Sequence, residues 1–423
     1  MKEYLKKLPE EIKDLIFLAL DTAGSNNIPI YLVGGFVRDL ILGAKNLDLD
    51  IVVEGNGIKF AEELSSRLNA KLIRHKRFAT ATLILRSGIK LDIASARKEF
   101  YPKPAALPQV MPGNLRDDLY RRDFSINAMA IGLSGKDAGR LIDFFGGQGD
   151  LRNKKIRILH SLSFIDDPTR ILRAIRFEQR YNFKIEPDTL KNLKKAVSFK
   201  MLEKTEPQRL RDELIPILKE KTVLKQIKRL KELAGFAFIN KRLLLSPKNR
   251  VLLKAAENQI SWFKKTYPER RGLDSWLIYF MALLGSLATS DIKLVCRRFA
   301  FRKGETKRIL NYKQTNRVIM AQLYRSQVKP EKIFSLLEPL SYEAIILIKA
   351  KSKDKKINKY ITDFFKIYNG MSISVSGDDL RKLGILPGRH YQRIFAKILQ
   401  AKLNGKISTK EQELAFIKKI YRH

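Results

Sequence analysis

Val33-Gly34-Gly35-Phe36-Val37-Arg38-Asp39, with Asp48-Leu49-Asp50-Ile51-Val52-Val53 nine residues further on, is the stretch that decides the fold. Ile30–Val33 reads as a strand, the glycines as a turn, the residues after them as a helix start, and Leu49–Val53 as the next strand. Two glycines at a strand-to-helix turn let the backbone approach a phosphate, and the helix N-terminus supplies unpaired N–H donors. Gly34 and Gly35 are therefore candidate phosphate contacts, and Arg38, one turn into the helix, can add a guanidinium fork. Asp48 and Asp50 stand at i and i+2 on an extended segment and project to one side of the sheet. Such carboxylates repel unless a hard divalent ion sits between them; magnesium suits all-oxygen ligands and leaves positions open for substrate phosphates. Asp92, in Leu91-Asp92-Ile93-Ala94, is a third carboxylate on an apolar strand. Each piece has a plainer reading, since a Gly-Gly turn is often only a turn and Asp-x-Asp often a solvated strand end. Order and spacing carry the specificity.

Around this stretch, Ala81–Arg86 and Lys90–Ala94 read as further strands and Gly57–Leu68 as a helix. Tyr101 to Gly113 holds Pro102, Pro104, Pro108 and Pro112 and reads as a loop. From Phe164 onward apolar residues recur at three- and four-residue spacing, the helical period, with breaks near 246–248, 267–272, 328–331 and 351–358. The expected fold class is α+β: a mixed-sheet head followed by a long all-helical remainder. Its 423 residues leave ample core without staples. The single cysteine, Cys296, excludes a disulfide framework and a cysteine zinc site and fits a reducing, cytoplasmic setting. Met1 to Leu20 is interrupted by Glu10, Glu11 and Asp14 and does not read as a signal peptide. The longest apolar run, Trp276 to Thr289, is shorter than the ~20 residues of a membrane span and reads as a buried helix.

The net charge is +39, from 83 Lys+Arg against 44 Asp+Glu. Residues 1–150 hold 22 against 19, a difference of +3, and residues 151–423 hold 61 against 25, a difference of +36. A nearly neutral head before a strongly basic remainder points to acidic chemistry in one part and a polyanion partner, nucleic acid first, in the other. A lysine-rich proteome would also raise the charge of surface helices. The basic helices carry no Trp-rich apolar face, which disfavours a membrane surface.

Glycine turn, paired aspartates and a later acid in this order resemble the nucleotidyltransferase superfamily related to DNA polymerase β. Downstream, Arg121-Arg122-Asp123-Phe124-Ser125-Ile126-Asn127-Ala128 resembles the ribose-reading motif of class II tRNA nucleotidyltransferases, the CCA-adding enzymes, and of bacterial poly(A) polymerases. Asp143-Phe144-Phe145-Gly146-Gly147 with Asp150-Leu151 resembles the family's head–neck junction. The run from Asp166-Asp167-Pro168-Thr169-Arg170 through Arg173 to Arg176-Phe177 resembles its nucleotide-template helix, and Pro207-Gln208-Arg209-Leu210 with Glu213 the motif bracing that helix. The motifs keep family order over about 180 residues, from Gly34 to Glu213.

The resemblance implies a polymerase-β-like head (1–145), then helical neck (146–220), body (221–345) and tail (346–423). It implies a nucleotidyltransferase that moves CMP and AMP from CTP and ATP to the 3′ end of tRNA and releases pyrophosphate. Asp48 and Asp50 would bind two magnesium ions, and Asp92 would align or deprotonate the primer hydroxyl. Gly34, Gly35 and Arg38 would hold the triphosphate, with Arg122, Asp123 and Asn127 near the ribose. Asp167 and Arg170, at i and i+3, face one way and would read the base, with Arg173 and Arg176 continuing the stripe along the triphosphate. Cytosine and adenine each offer an amino donor beside a ring-nitrogen acceptor, which a carboxylate and an arginine complement; uracil and guanine present a carbonyl there instead. Asp167 before Pro168 is equally a good helix cap, and the arginines equally a solvated face. Asp166 stands where the family more often has Glu. Arg97 and Glu99 resemble a paired motif beside the proline-rich loop, which lies where relatives have a mobile element affecting the switch from C to A. Gly377-Asp378-Asp379-Leu380 with Leu383 to Gly388 resembles a C-terminal element of long members, but Arg389-His390-Tyr391 departs from it, and a plain helical hairpin capped by Gly384 fits as well. Four histidines and no His-Asp dipeptide leave out the phosphohydrolase domain of some relatives. Partial addition (CC only or A only), poly(A) synthesis and an inactive RNA-binding protein are the competing readings; no stable protein partner is implied.

Overall fold

A computed structural model describes residues 8–25, 28–44, 48–325 and 327–421. The chain divides into two compact units, parted between Phe238 and Ile239. The first unit opens with helix α1 (Glu10–Ser25), strand β1 (Ile30–Val33), α2 (Gly35–Ile41), β2 (Leu49–Val53) and α3 (Gly57–Leu68). It continues with β3 (Lys71–His75), β4 (Thr80–Ile84), β5 (Lys90–Ser95), β6 (Arg97–Phe100), β7 (Gln109–Pro112), α4 (Leu115–Tyr120), β8 (Ala130–Gly132) and β9 (Leu141–Ile142). Seven of these strands form one mixed sheet in the order β3-β4-β5-β2-β1-β8-β9. β1 is buried along its whole length and β2 is apolar on both sides of Asp50, as strands covered on both faces must be. β2 and β5 are parallel neighbours, and their register sets Asp50 beside Asp92. α3 starts at an Asn56 cap that accepts the Lys59 N–H at 3.0 Å and ends at Asn69 in the left-handed region, φ 48°.

Among the head's strands, β3, β6, β7, β8 and β9 lie outside the sequence reading. β3 is an exposed edge strand with Arg74 and His75 among its residues, so no apolar alternation announces it. β6 and β7 form a separate antiparallel pair with Arg97 opposite Pro112. The proline-rich segment is thus only partly a loop: Gln109–Pro112 forms the second strand of a two-stranded ribbon, where proline is tolerated.

The rest of the first unit is mainly helical: α5 (Gly147–Arg152), α6 (Ser163–Asp166), α7 (Thr169–Tyr181), α8 (Pro187–Ser198), α9 (Met201–Lys204), α10 (Pro207–Lys219) and α11 (Val223–Leu233). A short parallel pair, β10 (Lys155–Ile156) with β11 (Lys184–Ile185), interrupts them. α7 buries Ile171, Leu172, Ile175 and Phe177 against α10 and α11. Glu178 fixes that packing, accepting from Arg229 Nε at 2.6 Å and Nη2 at 2.8 Å.

The second unit holds α12 (Pro247–Thr266), α13 (Ser275–Leu283), α14 (Thr289–Arg298), α15 (Lys303–Leu323), α16 (Pro330–Leu337) and α17 (Tyr342–Lys351). α18 (Lys355–Asp363), α19 (Gly377–Lys382), α20 (His390–Leu403) and α21 (Lys410–Ile420) complete it. Trp276 through Leu283 are all buried, so the long apolar run is a core helix. Among the described residues no helix is long and apolar enough to cross a membrane. Near the C-terminus, Gly384 (φ 79°) ends α19, and the fully buried Glu413 joins the hairpin to α21 by accepting from Val375 N at 2.9 Å and Lys402 Nζ at 2.7 Å.

Candidate functional site

The turn after β1 brings the head's residues together. Gly34 has φ 67° and caps α2, and a Cβ there would overlap the Arg122 guanidinium. Only glycine allows both that dihedral and that approach. Arg122 is held by its Nη2, which donates to Asp118 at 2.9 Å, and the fully buried Asp118 also takes Arg121 Nη2 at 2.7 Å. Arg38 departs from its expected posture. Its Nε and Nη2 both donate to the neighbouring Asp39 at 2.8 Å, its Nη1 donates to Asn127 Oδ1, and its guanidinium lies about 5 Å from the Phe177 and Tyr181 rings. The fork expected to face phosphate is therefore committed to a carboxylate.

From Asn127 the network runs into α7. Asn127 Nδ2 donates to Asp123 Oδ1 at 2.8 Å, and Asp123 Oδ2 accepts from Arg173 Nε at 2.7 Å. Arg173 Nη1 reaches Glu213 on α10 at 3.0 Å, and Arg176 Nη2 lies 3.3 Å from the other Glu213 oxygen. Burial alone would push the Asp123 carboxyl up; Arg173 and the Asn127 bond outweigh it and bring the group to about 2.

At the start of α7, Asp167 Oδ1 accepts from Thr169 N at 3.1 Å and from Arg209 Nη2 at 2.7 Å, while Oδ2 stands 3.9 Å from Arg170 Nε. Capping therefore occupies only one carboxylate oxygen, which is also braced, and leaves the other beside Arg170. Arg170 is itself fixed, donating to Ser163 Oγ and to the Arg121 carbonyl at 2.7 Å each. Arg209 also donates to the Ala105 and Ala106 carbonyls, and Ala105, at φ 62°, donates its N–H to the Ile165 carbonyl at 3.1 Å. The proline-rich segment is thereby fastened to the N-terminal end of α7, at Asp167. Asp166 faces the His160 ring at 3.9 Å; burial, then Arg170, lowers His160 to about 4, so the ring is neutral at pH 7 and the contact is no ion pair.

These groups line one cleft of about 530 Å³. Gly35, Arg38, Asp50, Arg122, Asp123, Asn127, Asp167, Arg170, Arg173 and Arg176 all contribute to it, within a lining of nine arginines and four carboxylates. Asp92 lines an adjoining cleft of about 340 Å³ that shares Asp50, Arg121 and Arg122 with the first. Asp48 is exposed just before β2 and lines neither. Three buried guanidinium Nε–H groups, on Arg97, Arg122 and Arg176, have no acceptor, and all three border the larger cleft. On the sheet side, burial raises the Asp50 carboxyl to about 6, with Asp92 and Asp48 adding to it and Arg122 opposing. The wall thus holds donors short of an anion and a carboxylate short of a cation. Among the described residues no cluster of three or more His, Cys, Asp or Glu could hold a metal by itself. The donor set therefore fits a hard ion that takes one or two carboxylates and completes its shell with phosphate oxygens and water.

The Arg97–Glu99 pairing expected from the sequence is present, but sequence reasoning missed how several further groups build this wall. Glu99 gathers Arg97 and Arg121 at 3.1 Å each and Tyr101 Oη at 3.2 Å, Phe177 and Tyr181 flank Arg38, and Asp118 anchors both Arg121 and Arg122. Of the contacts not read from the sequence, Asp118 had a readable signal: it is three and four residues before its arginines, the helical pairing distance.

The chain matches the family described as "Poly A polymerase head domain" over residues 30–157. Residues 182–243 match "Probable RNA and SrmB- binding site of polymerase A". It is 38% identical to an A-adding tRNA nucleotidyltransferase of Geobacter sulfurreducens over 92% of its own length, but spans only 44% of that relative. It is 32% identical to the A-adding tRNA nucleotidyltransferase of Halalkalibacterium halodurans over 95% of its length and 91% of the relative's. Among solved structures, the Thermotoga maritima CCA-adding enzyme complexed with tRNA superimposes with a TM-score of 0.74 at 36% identity, covering 99% of this chain and 98% of that one. The chain belongs to the class II tRNA nucleotidyltransferase and poly(A) polymerase family.

Proposed function

We propose that the chain extends the 3′ end of tRNA with C and A taken from CTP and ATP, releasing pyrophosphate. The observation that carries this is the double deficit of the cleft: three unpaired buried guanidinium donors on one side and the raised Asp50 carboxyl on the other. A metal-bound nucleoside triphosphate satisfies both, its phosphate and ribose oxygens accepting from Arg97, Arg122 and Arg176 and its counter-ion neutralising Asp50. Asp48 and Asp50 would hold magnesium, two ions being expected, which supplies Lewis-acid stabilisation of the triphosphate and a more acidic primer hydroxyl. Gly34 and Gly35 leave room for the triphosphate beside α2. Arg122, Asp123 and Asn127 form the wall at the ribose, and Asp92 accepts or orients the primer hydroxyl from the adjoining cleft. Asp167 Oδ2 and Arg170 read the edge of the base, and their prior fixation by Arg209, Ser163 and the Arg121 carbonyl makes the choice costly to violate. In this reading residues 1–145 are the catalytic head and 146–220 the neck, which replaces a nucleic-acid template. Residues 221–345 and 346–423 are body and tail, which hold the RNA by phosphate contacts in the cytoplasm.

A second reading, addition of the terminal A alone, is favoured by the A-adding names of the Geobacter and Halalkalibacterium relatives. Incubating the protein with tRNA transcripts ending before CCA, after C and after CC, each with single labelled NTPs, separates the readings. Two CMP additions followed by one AMP support full CCA addition. AMP incorporation restricted to the CC-ended transcript supports the A-only reading. Runs of A on unrelated RNA, or no transfer at all, overturn both.

A further inference from the structure

A cleft of about 800 Å³ opens in the second unit among the start of α12, the middle of α15 and the end of α17. Its lining carries six cations, Lys248, Lys313, Arg317, Lys349, Lys351 and Lys353, and no carboxylate. Where these ammonium groups have partners, the partners are neutral. Lys313 donates to the Gly285 carbonyl at 3.0 Å, Lys351 to Asn316 Oδ1 at 2.8 Å, and Lys349 to the Asn358 carbonyl and Thr362 Oγ1 at 3.0 Å each. Lys349 is only 7% exposed, and its Nζ lies 4.5 Å from the centre of the Trp262 ring. Dipoles and a ring solvate such a charge without cancelling it, so the buried ammonium retains an unmet demand for a counter-anion. Burial lowers the proton affinity of Lys313, Lys349 and Lys351, and Arg317 adds to the effect at Lys313 and Lys351. Gln259 lines the same cleft, and its Oε1 is buried without a donor. Val251 and Leu252, with Ala255 a turn further on, give the cleft an apolar strip along α12.

We propose that this cleft takes a nucleotide unit of the RNA chain, with consecutive phosphates against the six cations and the sugar or base face against the α12 wall. The volume lies within the range of ligand pockets rather than of a single anion site. Six cations exceed what one phosphate neutralises, and a polynucleotide offers successive phosphates together with flat apolar faces. The inference rests on the proposed action on tRNA and adds where part of that RNA is held.

The test compares the triple variant Lys248→Ala/Arg317→Ala/Lys353→Ala with a control that removes equal charge from the head, away from its clefts, Lys59→Ala/Lys71→Ala/Lys136→Ala. All six side chains are exposed. Binding of a labelled CC-ended tRNA is followed by anisotropy over a salt series of about 50 to 200 mM. The cleft variant is expected to bind at least about tenfold more weakly, with a log–log salt slope lower by about two to three. The control should change affinity less than about threefold and the slope by less than one. Equal behaviour of the two variants overturns the proposal. So does calorimetry in which the wild type binds two free CMP and the cleft variant one, with tRNA binding unchanged: the cleft would then serve free nucleotide. Failure of the wild type itself to bind or extend tRNA refutes the underlying function instead, so the two failures are distinguishable.

Discussion

Asp123→Asn tests whether the head and α7 are joined by an ionised clasp. In the folded chain Asp123 accepts from Arg173 Nε, Asn127 Nδ2 and its neighbour's N–H at 2.7, 2.8 and 2.9 Å, and it is nearly inaccessible to water. Its carboxyl sits at about 2 rather than its ordinary 3.8. A depressed carboxylate adds stability that is fully present above the unfolded value and is lost as pH falls through the folded one. Here that amounts to roughly 2.5 kcal/mol at neutral pH and about 1.3 kcal/mol at pH 3. The asparagine keeps the shape, removes the charge and leaves Arg173 facing an amide. It should destabilise the first unit by about 2–3 kcal/mol at pH 7, with the gap to wild type narrowing to about 1 kcal/mol near pH 3. Both tryptophans, Trp262 and Trp276, lie in the second unit, so intrinsic fluorescence does not see this change. Urea titration read by hydrogen exchange at the amides of residues 115–133 does. A loss below about 0.5 kcal/mol, or a gap of the same size at pH 7 and pH 3, would refute the ionised clasp.

Three further outcomes are expected. Because Asp50 is raised to about 6, protons compete with a metal there, so the magnesium concentration for half-maximal transfer should climb about tenfold per pH unit below 6; a flat requirement between pH 7.5 and 5.5 contradicts the assignment. Gly34→Ala should cost more stability in thermal melts than Gly43→Ala, since both glycines have φ near 68° but only Gly34 is pressed by Arg122. The shared dihedral costs about 1–2 kcal/mol, and equal losses would remove the steric argument. Arg209→Ala should raise misincorporation of UTP and GTP by about tenfold while the magnesium requirement stays put, because it frees Asp167 without touching Asp50. Unchanged discrimination in single-nucleotide extension assays would detach Arg209 from base choice.

Much of the frame was legible because local pattern and burial agree. β1, β2 and α3 have the bounds their apolar periods give, and the long apolar run is a buried helix. β3 was not, because an exposed edge strand has no buried face to impose alternation. β7 was hidden by Pro112 and the prolines before it, which mark turns unless the strand is one of a pair with free edges. In the site, the glycine turn and the Asp167–Arg170 proximity follow from short sequence spacings, whereas Asp50 stands beside Asp92 through the parallel register of β2 and β5. The partners of Arg38, Arg173 and Arg209 do not. Asn127 lies 89 residues from Arg38, and Asp123 lies 50 from Arg173, so only the folded chain decides which of many acceptors each guanidinium finds. The row of arginines expected to await phosphate is accordingly more occupied than spacing alone suggests.

Arg209 has a consequence for how the site can move. One guanidinium bonds the Ala105 and Ala106 carbonyls of the proline-rich segment and the carboxylate of Asp167. Displacing the segment must either break those carbonyl bonds or draw the guanidinium away from Asp167. Breaking them returns donors to Arg209 that Asp167 Oδ2 can claim; drawing the guanidinium away leaves Oδ1 to Thr169 alone. The segment's position and the setting of the Asp167 carboxylate are therefore coupled through one side chain. A substrate that shifts one resets the other without a separate signal between them.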